Sequence, residues 1–416
     1  MQVLYNITIE LVNFLLPATK FLSEKMKLFV NGRKETFPIL ASKVNKQDHT
    51  IWFHMASLGE FEQGVPIIEV VKKQYPHHKI VVSFFSPSGY EVKKHTPLAD
   101  AVVYLPLDTR KNAMKFLNLV HPEIAIFIKY EFWPNYLKEL KERKIRTLLV
   151  SGGFRKDQLF FKPYGGWMRS SLNTFEHFFV QNSTSKKLLN SIGFQNVTLS
   201  GDTRFDRVSH QIEQNNTLEF AEEFKNNKLC IVAGSTWPED DSLLEDFINQ
   251  STDEVKFILA PHQIKTDQIN RFKEKLNKKT LLYSESKNTK LADYNVLIID
   301  TIGLLTKIYS YADIAYVGGA AGTTGLHNIL EPATFGVPVV IGKNFDKFPE
   351  AKQLQHLAGL YAIEDKEALN EILTKLINDA GFRKKTGMIA GHFINSNTGA
   401  TQIFRRYLEK NKLNNF

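Results

Sequence analysis

Ile51-Trp52-Phe53-His54-Met55-Ala56-Ser57-Leu58-Gly59-Glu60-Phe61 is the stretch on which the fold turns. The apolar run that closes at His54 reads as a buried strand. Ala56, Ser57 and Gly59 make a small-residue turn, and a helical pattern begins at Glu60. A carboxylate is thereby held where a strand's C-terminal end meets a helix N-terminus, the edge at which open α/β sheets bind ligands. An acid in a first helical turn also gains roughly 0.3–1 kcal/mol from the helix dipole. The local sequence therefore leaves both a capping role and a catalytic role open for Glu60.

Working outward, the same alternation recurs. Strands are expected at 51–55, 79–85, 101–105, 123–129, 145–151, 176–180 and 196–200, with helices between most of them, such as 61–75, 110–120 and 133–143. That rhythm implies a doubly wound parallel α/β sheet. The polar segment 209–227 reads as a domain junction. The rhythm then restarts, with strands near 228–234, 255–260, 296–300, 313–317 and 338–341 and helices such as 240–249 and 266–276. Leu229-Cys-Ile-Val-Ala-Gly-Ser-Thr-Trp-Pro-Glu-Asp repeats the opening plan of apolar strand, small residues and acidic helix start. The expected organisation is an N-terminal apolar and basic segment over 1–40, Rossmann-like domains over 41–210 and 211–395 with a cleft between them, and a last segment over 396–416 whose helix, 401–412, returns to the first domain.

A chain of 416 residues suits two such domains, and 43% hydrophobic with 23% charged residues is a globular composition. The single cysteine, Cys230, sits in an apolar run, so there is no disulfide within the chain and no cysteine metal site; a reducing compartment fits. Fifty-three Lys and Arg against 44 Asp and Glu give a net charge of +9, which favours anionic partners. The charge is spread out and no nucleic-acid motif is present, so nucleic acid ranks below a membrane surface or a phosphorylated small molecule.

Leu4 to Leu16 is apolar but broken by Asn6, Glu10 and Asn13 and closed by Pro17, too short and too polar for a spanning helix. Lys25, Lys27, Arg33, Lys34, Lys43 and Lys46 follow, against the single acid Glu35. An apolar segment with a basic flank is expected to lie on, or anchor to, an anionic cytoplasmic leaflet.

Four further stretches place chemistry at strand ends. Over 316–342 a strand ends in Gly318-Gly319, a glycine-rich loop runs to Gly325, and a helix is expected from His327-Asn328 to just before Gly336. Backbone N–H groups there suit a phosphate, although the pattern is neither a dinucleotide fingerprint nor a Walker loop. Glu331, one turn into that helix, suits nucleoside hydroxyls. Lys129-Tyr130-Glu131-Phe132-Trp133-Pro134-Asn135 puts a second carboxylate at a strand-to-helix junction. Gly201-Asp-Thr-Arg-Phe-Asp206 places Arg204 where it can grip a carboxylate or phosphate, and Ala260-Pro261-His262-Gln263 ends another strand. His77-His78 has no ligand-spaced partner and reads as surface, so no metal dependence is expected.

Together, His54-Met-Ala-Ser-Leu-Gly-Glu60, Tyr130-Glu-Phe-Trp-Pro-Asn135, Gly201-Asp-Thr-Arg-Phe-Asp206 and His327-Asn-Ile-Leu-Glu-Pro-Ala333 resemble the Kdo transferases, which add 3-deoxy-manno-octulosonic acid (Kdo) to the lipid A precursor, lipid IVA, in lipopolysaccharide synthesis. The resemblance runs to about residue 390. It implies a GT-B architecture of two facing Rossmann-like domains, acceptor on the first and CMP-Kdo on the second. It also implies inversion at the anomeric carbon, no metal and no cofactor. Glu60 is then the proton acceptor, with Glu131 and Arg204 stabilising the transition state. Ser235, Thr236, Pro261, His262, Ile302, Gly303, Leu304, Asn328, Ile329, Leu330 and Glu331 match donor-holding stretches. Ser57, Gly59, Arg155 and Lys162, with the more distant Arg33 and Lys34, are the acceptor candidates. Three positions depart from the family's common pattern: Arg204 where Lys is frequent, Tyr-Glu-Phe where Thr-Glu-Leu is common, and Ile329 where Pro is common. Another GT-B enzyme working on a UDP-sugar would share Glu331 and the glycine loop but not both acid motifs. A non-catalytic lipid or nucleotide binder would release no CMP.

Overall fold

In the computed structural model, which describes residues 1–413, the first seven apolar runs form β1 (Thr50–Met55), β2 (Lys79–Phe84), β3 (Ala101–Tyr104), β4 (Ile124–Ile128), β5 (Arg146–Gly152), β6 (His177–Val180) and β7 (Val197–Leu199). They pair in parallel in the order β3-β2-β1-β4-β5-β6-β7. Every residue of β1 is buried, because helices cover both faces of the sheet. Alternate side chains feed opposite cores: Trp52 packs with Phe116, Phe127 and Tyr136, while Ile51, Phe53 and Met55 join Phe61, Ile67 and Ile68.

A second sheet contains β8 (Leu229–Thr236), β9 (Val255–Pro261), β10 (Thr280–Leu282), β11 (Val296–Ile298), β12 (Ile314–Val317), β13 (Val339–Gly342) and β14 (Leu360–Ile363), in the order β10-β11-β9-β8-β12-β13-β14. The short edge strands β10 and β14 are not among the expected strands. The described chain divides into a first unit, Met1–Arg207 with the chain from Thr398, and a second, Val208–Asn397. Helix Ala400–Lys410 belongs to the first, where it buries Phe404 and Leu408 against Phe179 and its neighbours. The last three residues of the 396–416 segment lie outside the described residues. In each sheet the strand order reverses at one place, between β1 and β4 in the first and between β8 and β12 in the second. Ligands of doubly wound sheets bind at such switch points.

The N-terminal segment forms α1 (Gln2–Leu15), a 3₁₀ turn (Leu16–Phe21) and α2 (Glu24–Lys43). No helix among the described residues is long and apolar enough to cross a membrane. On α1 the usual polarity is reversed: Tyr5 and Asn6 turn inward, whereas Leu4, Ile7, Leu11 and Phe14 are exposed. Tyr5 donates to Asp108 Oδ2 at 2.7 Å, and Asn6 Oδ1 accepts from Asn135 Nδ2 at 3.0 Å. Arg33 does not belong to the basic surface. It is buried, donates to the carbonyls of Phe29 and Phe85, and lies 3.4 Å from the Phe29 ring centroid. Burial lowers its guanidinium to about 9.

Candidate active site

Helix α3 (Leu58–Gln74) begins directly after β1 because Ser57 caps it and Glu60 reaches back. Glu60 Oε2 accepts the Ser57 backbone N–H at 2.9 Å and lies 3.4 Å from Ser57 Oγ, a capping box. Such a cap contributes about 1 kcal/mol, so the structural role of Glu60 is real. Its surroundings go beyond it. The side chain is largely buried, and desolvation raises its carboxyl above the ordinary value. The Glu131 charge raises it further against the opposing pull of Lys129, His54 and the Ser57 N–H. A poorly hydrated carboxylate near a second one is a stronger base than a surface acid. Gly59, beside it on the helix, borders open space: a Cβ there would meet nothing within 4 Å.

Glu131 follows β4, across the switch point. Its Oε2 lies 2.9 Å from the indole nitrogen of Trp133 and 3.1 Å from His54 Nε2, and the Trp133 nitrogen is 3.0 Å from that same Nε2. His54 is fully buried, with Nδ1 at 2.9 Å from Ser83 Oγ, which also accepts the Trp52 indole N–H at 2.8 Å. Ser83, His54 and Trp133 thus fix the position of Glu131 from inside the sheet. Lys129, directly after β4, holds φ at +73°, and Ser151 near the end of β5 holds +52°. Non-glycine residues there cost of order 1–3 kcal/mol and cluster at functional sites.

Arg204 lies in the first turn of the helix Thr203–Ser209, and its Nε and one terminal nitrogen both lie 2.8 Å from Asp202 Oδ2. Asp202 also accepts from Gln63 on α3 at 3.2 Å, and Thr203 Oγ1 donates to the Gln63 carbonyl at 2.7 Å. The Gly201–Asp206 motif is thereby tied to the helix that carries Glu60. Its other acid, Asp206, accepts the Gly399 N–H at 2.8 Å, anchoring the last helix. The Tyr130 hydroxyl feels the charges of Arg155, Arg204, Asp202 and Glu60, and the Arg155 guanidinium lies 5.3 Å from its ring centroid. Arg155 therefore joins the Glu60 group. Lys162 sits between the 3₁₀ turns Leu159–Phe161 and Pro163–Gly165, and Lys34 is exposed on α2.

The second sheet repeats the plan with different chemistry. Asp240, at the position equivalent to Glu60, accepts the Trp237 N–H at 2.9 Å but also the Tyr316 hydroxyl at 2.7 Å and the Gly319 N–H at 2.8 Å. It is fully buried and consumed by the fold. Ser235 holds φ at +56° where β8 and β9 slip register, and Thr236 behind it is buried. Past Pro261 the His262 ring stacks on Trp237 at 4.8 Å and lies 4.2 Å from His327. The Trp237 indole donates to His327 Nε2 at 3.0 Å. Burial lowers both imidazoles, His327 to about 4 with His262 adding to the effect, so the cluster is neutral and flat at physiological pH. Ile302, 87% exposed, and Gly303, with φ at +96°, form the turn before Leu304.

Three expectations change here. The glycine-loop helix is Leu330–Thr334, five residues rather than a run from His327, because residues up to Ile329 finish the loop and Gly336 turns left-handed. So short a helix carries little dipole. Ile329 and Leu330 are 2% and 0% exposed, so their side chains belong to the core and only backbone can face a ligand. Asn328 Nδ2 donates to Glu331 Oε1 at 3.0 Å, and Thr306 Oγ1 lies 3.2 Å from Oε2. Finally, His78 has partners, Glu123 among them. Trp133, Trp237 and His54 were not among the expected site residues. The signal for the two tryptophans was the Trp-Pro pair that opens a helix after β4 and again after β8.

Residues 31–207 match the family model of 3-deoxy-D-manno-octulosonic-acid transferase (kdotransferase). The 3-deoxy-D-manno-octulosonic acid transferase of Haemophilus influenzae is 27% identical over 384 residues, 87% of this chain and 88% of that protein. Over most of its length the chain is thus similar to 3-deoxy-D-manno-octulosonic acid transferases. A bifunctional glycosyltransferase/methyltransferase of Fusobacterium nucleatum is 30% identical over 338 residues; the match covers 78% of this chain but only 51%, about half, of that relative. In fold, the chain is similar to the UDP-GlcNAc 2-epimerase of Neisseria meningitidis, with a TM-score of 0.62 at 14% identity, covering 87% of this chain and all of the other.

Proposed function

We propose that this chain is a Kdo transferase that moves Kdo from CMP-Kdo to the lipid A precursor, lipid IVA, in lipopolysaccharide synthesis, inverting the anomeric centre with Glu60 as general base and without a metal. The observation that carries the reading is Glu60 itself: a capping acid at the β1/β4 switch point, largely buried, beside Glu131. Glu60 Oε1, which takes no part in the capping box, receives the proton of an acceptor sugar hydroxyl as that oxygen bonds to the anomeric carbon. The bond from that carbon to the phosphate oxygen of CMP breaks, and CMP leaves with the electron pair. A carboxylate is a weak base for an alcohol, so the proton moves late, and the contribution is that of a general base, roughly 10²–10⁴-fold. Arg204 offsets the charge growing on the leaving phosphate. Glu131, held by His54 and Trp133, steadies positive charge at the anomeric centre.

The second unit is assigned the donor, with the Trp237, His262 and His327 cluster and the Asn328–Glu331 segment as its surface. Arg155, Lys162, Ser57 and Gly59 are assigned the acceptor. The outward apolar face of α1, with exposed Lys25, Lys27, Lys34, Lys43 and Lys46, supports peripheral attachment to the cytoplasmic face of the inner membrane, where the acceptor resides. Mass spectrometry of the product formed from CMP-Kdo and lipid acceptor tests the reading. A Kdo adduct with matching CMP release is expected; transfer from a UDP-sugar instead would reject it.

A further inference from the structure

At the N-terminal edge of the first sheet, opposite the strand ends that carry Glu60, three other side chains converge. His49, His78 and Glu123 each stand one residue before a strand, ahead of Thr50 of β1, Lys79 of β2 and Ile124 of β4. The parallel register pairs Thr50 with Lys79 and Ile51 with Ile124, so neighbouring strands bring all three to one level. Glu123 Oε1 contacts His49 Nδ1, and its Oε2 lies 3.1 Å from His78 Nε2. The three ligand atoms lie within 4.8 Å of one another. Tyr75 packs edge-on against the His78 ring at 5.3 Å, and the neighbouring cation, Lys79, is taken up by Asp48 at 2.7 Å and the Lys43 carbonyl at 2.9 Å.

Two imidazoles and a carboxylate are the donor set that a borderline-soft divalent ion selects. The spacing matches as well. Imidazoles sharing one tetrahedral ion at about 2.0–2.1 Å place their ring centroids roughly 5 Å apart. Those of His49 and His78 are 5.4 Å apart and inclined by 49°.

We propose that His49, His78 and Glu123 form a binding site for a zinc-class divalent metal ion, with the remaining position open to water beside the exposed His49. The ion exchanges two imidazole–carboxylate hydrogen bonds for three coordinate bonds, and so ties together the starts of β1, β2 and β4. Because Glu60 lies at the other end of the same strands, the ion acts on stability and not on transfer.

The test uses the untagged full chain, stripped with chelator and titrated with Co²⁺ as a spectroscopic probe and with Zn²⁺ by calorimetry. The expected result is stoichiometric binding, with tetrahedral Co²⁺ absorption that Zn²⁺ displaces and a rise in Tm. His49→Ala and Glu123→Gln, both at solvent-accessible positions, should each weaken binding by at least about tenfold. His77→Ala, which removes the adjacent exposed imidazole, should leave it unchanged. The absence of stoichiometric binding by the parent chain would overturn the proposal. So would undiminished binding by a folded H49A/E123Q chain, or loss of binding on His77→Ala alone.

Discussion

The indole nitrogen of Trp133 lies 3.0 Å from Nε2 of the buried His54, bridging the end of β1 to the segment that follows β4. Trp237 repeats this contact in the second sheet, 3.0 Å from His327 Nε2. Each Trp is the N-cap of a helix that opens with proline, Pro134 in one case and Pro238 in the other. One local device thus braces both switch points, and its two copies should fail in different ways.

Trp133→Phe keeps the stack on Phe85, whose ring centroid lies 4.7 Å away, but removes the donor to Glu131 and His54. Losing one hydrogen bond to a charged group costs about 1.5–3 kcal/mol, so kcat should fall by about tenfold or more with KM little changed. Trp237→Phe should instead weaken CMP binding by about tenfold and spare the folded state. Steady-state kinetics and calorimetry with CMP distinguish the two; equal effects of both variants on kcat would reject the division of labour.

Gly59 is a helical residue with open space where a Cβ would stand. Glycine in a helix costs roughly 1 kcal/mol relative to alanine, and the fold offers no steric return for it. Gly59→Ala should therefore leave Tm unchanged or raised while reducing transfer, because the methyl occupies the approach to Glu60. A variant with full activity would remove Gly59 from the acceptor path.

Much of this was legible in the sequence, for a physical reason. Strands buried on both faces must be continuous apolar runs, so β1, β4 and β8 declare themselves. Edge strands pair on one side only and can be short, which hid Thr280–Leu282 and Leu360–Ile363 but not the equally short Val197–Leu199. The strand-end positions of Glu60, Glu131 and Arg204 were readable because each follows a run. What supports them was not. His54 meets Glu131 across 77 residues and His78 meets Glu123 across 45, contacts that exist only once strand order and register are set. Arg33 misled for a related reason, since a helix carrying many lysines does not announce which cation it turns inward.

The acid limb of the pH profile should report Glu60. It accepts a proton only when ionised, and burial with the Glu131 charge raises its carboxyl, so kcat/KM should fall towards low pH with an apparent pKa above the ordinary carboxylate range. Stability carries the opposite sign. A carboxyl whose folded pKa exceeds its unfolded pKa holds its proton longer when folded, so stability falls as pH rises through that interval. Glu60→Gln removes this loss and keeps the reach of the cap. The variant should melt no lower than the parent at neutral pH, with the difference shrinking as pH drops below the unfolded value. Calorimetric melting across about pH 4 to 8 spans that window; a variant that melts lower throughout would make Glu60 chiefly a structural acid.

The exposed face of α1 makes little contact with the fold. Replacing Leu4, Ile7, Leu11 and Phe14 together by Ser should leave Tm nearly unchanged, since each is more than half exposed, yet abolish sedimentation with anionic vesicles. Tyr5→Phe, which breaks the bond to Asp108, should act the other way: a lower Tm, with the apolar face intact. Vesicle binding that survives the quadruple change would assign attachment to the lysines alone.

Glu60→Gln also carries the most direct test of the mechanism. Transfer is followed as CMP release and Kdo adduct with the lipid acceptor, and CMP-Kdo affinity is measured on the same preparation. Transfer is predicted to fall by at least about 10²-fold with donor affinity held within about threefold. Transfer at near-parental rates by the folded variant would contradict the assignment of Glu60 as the base.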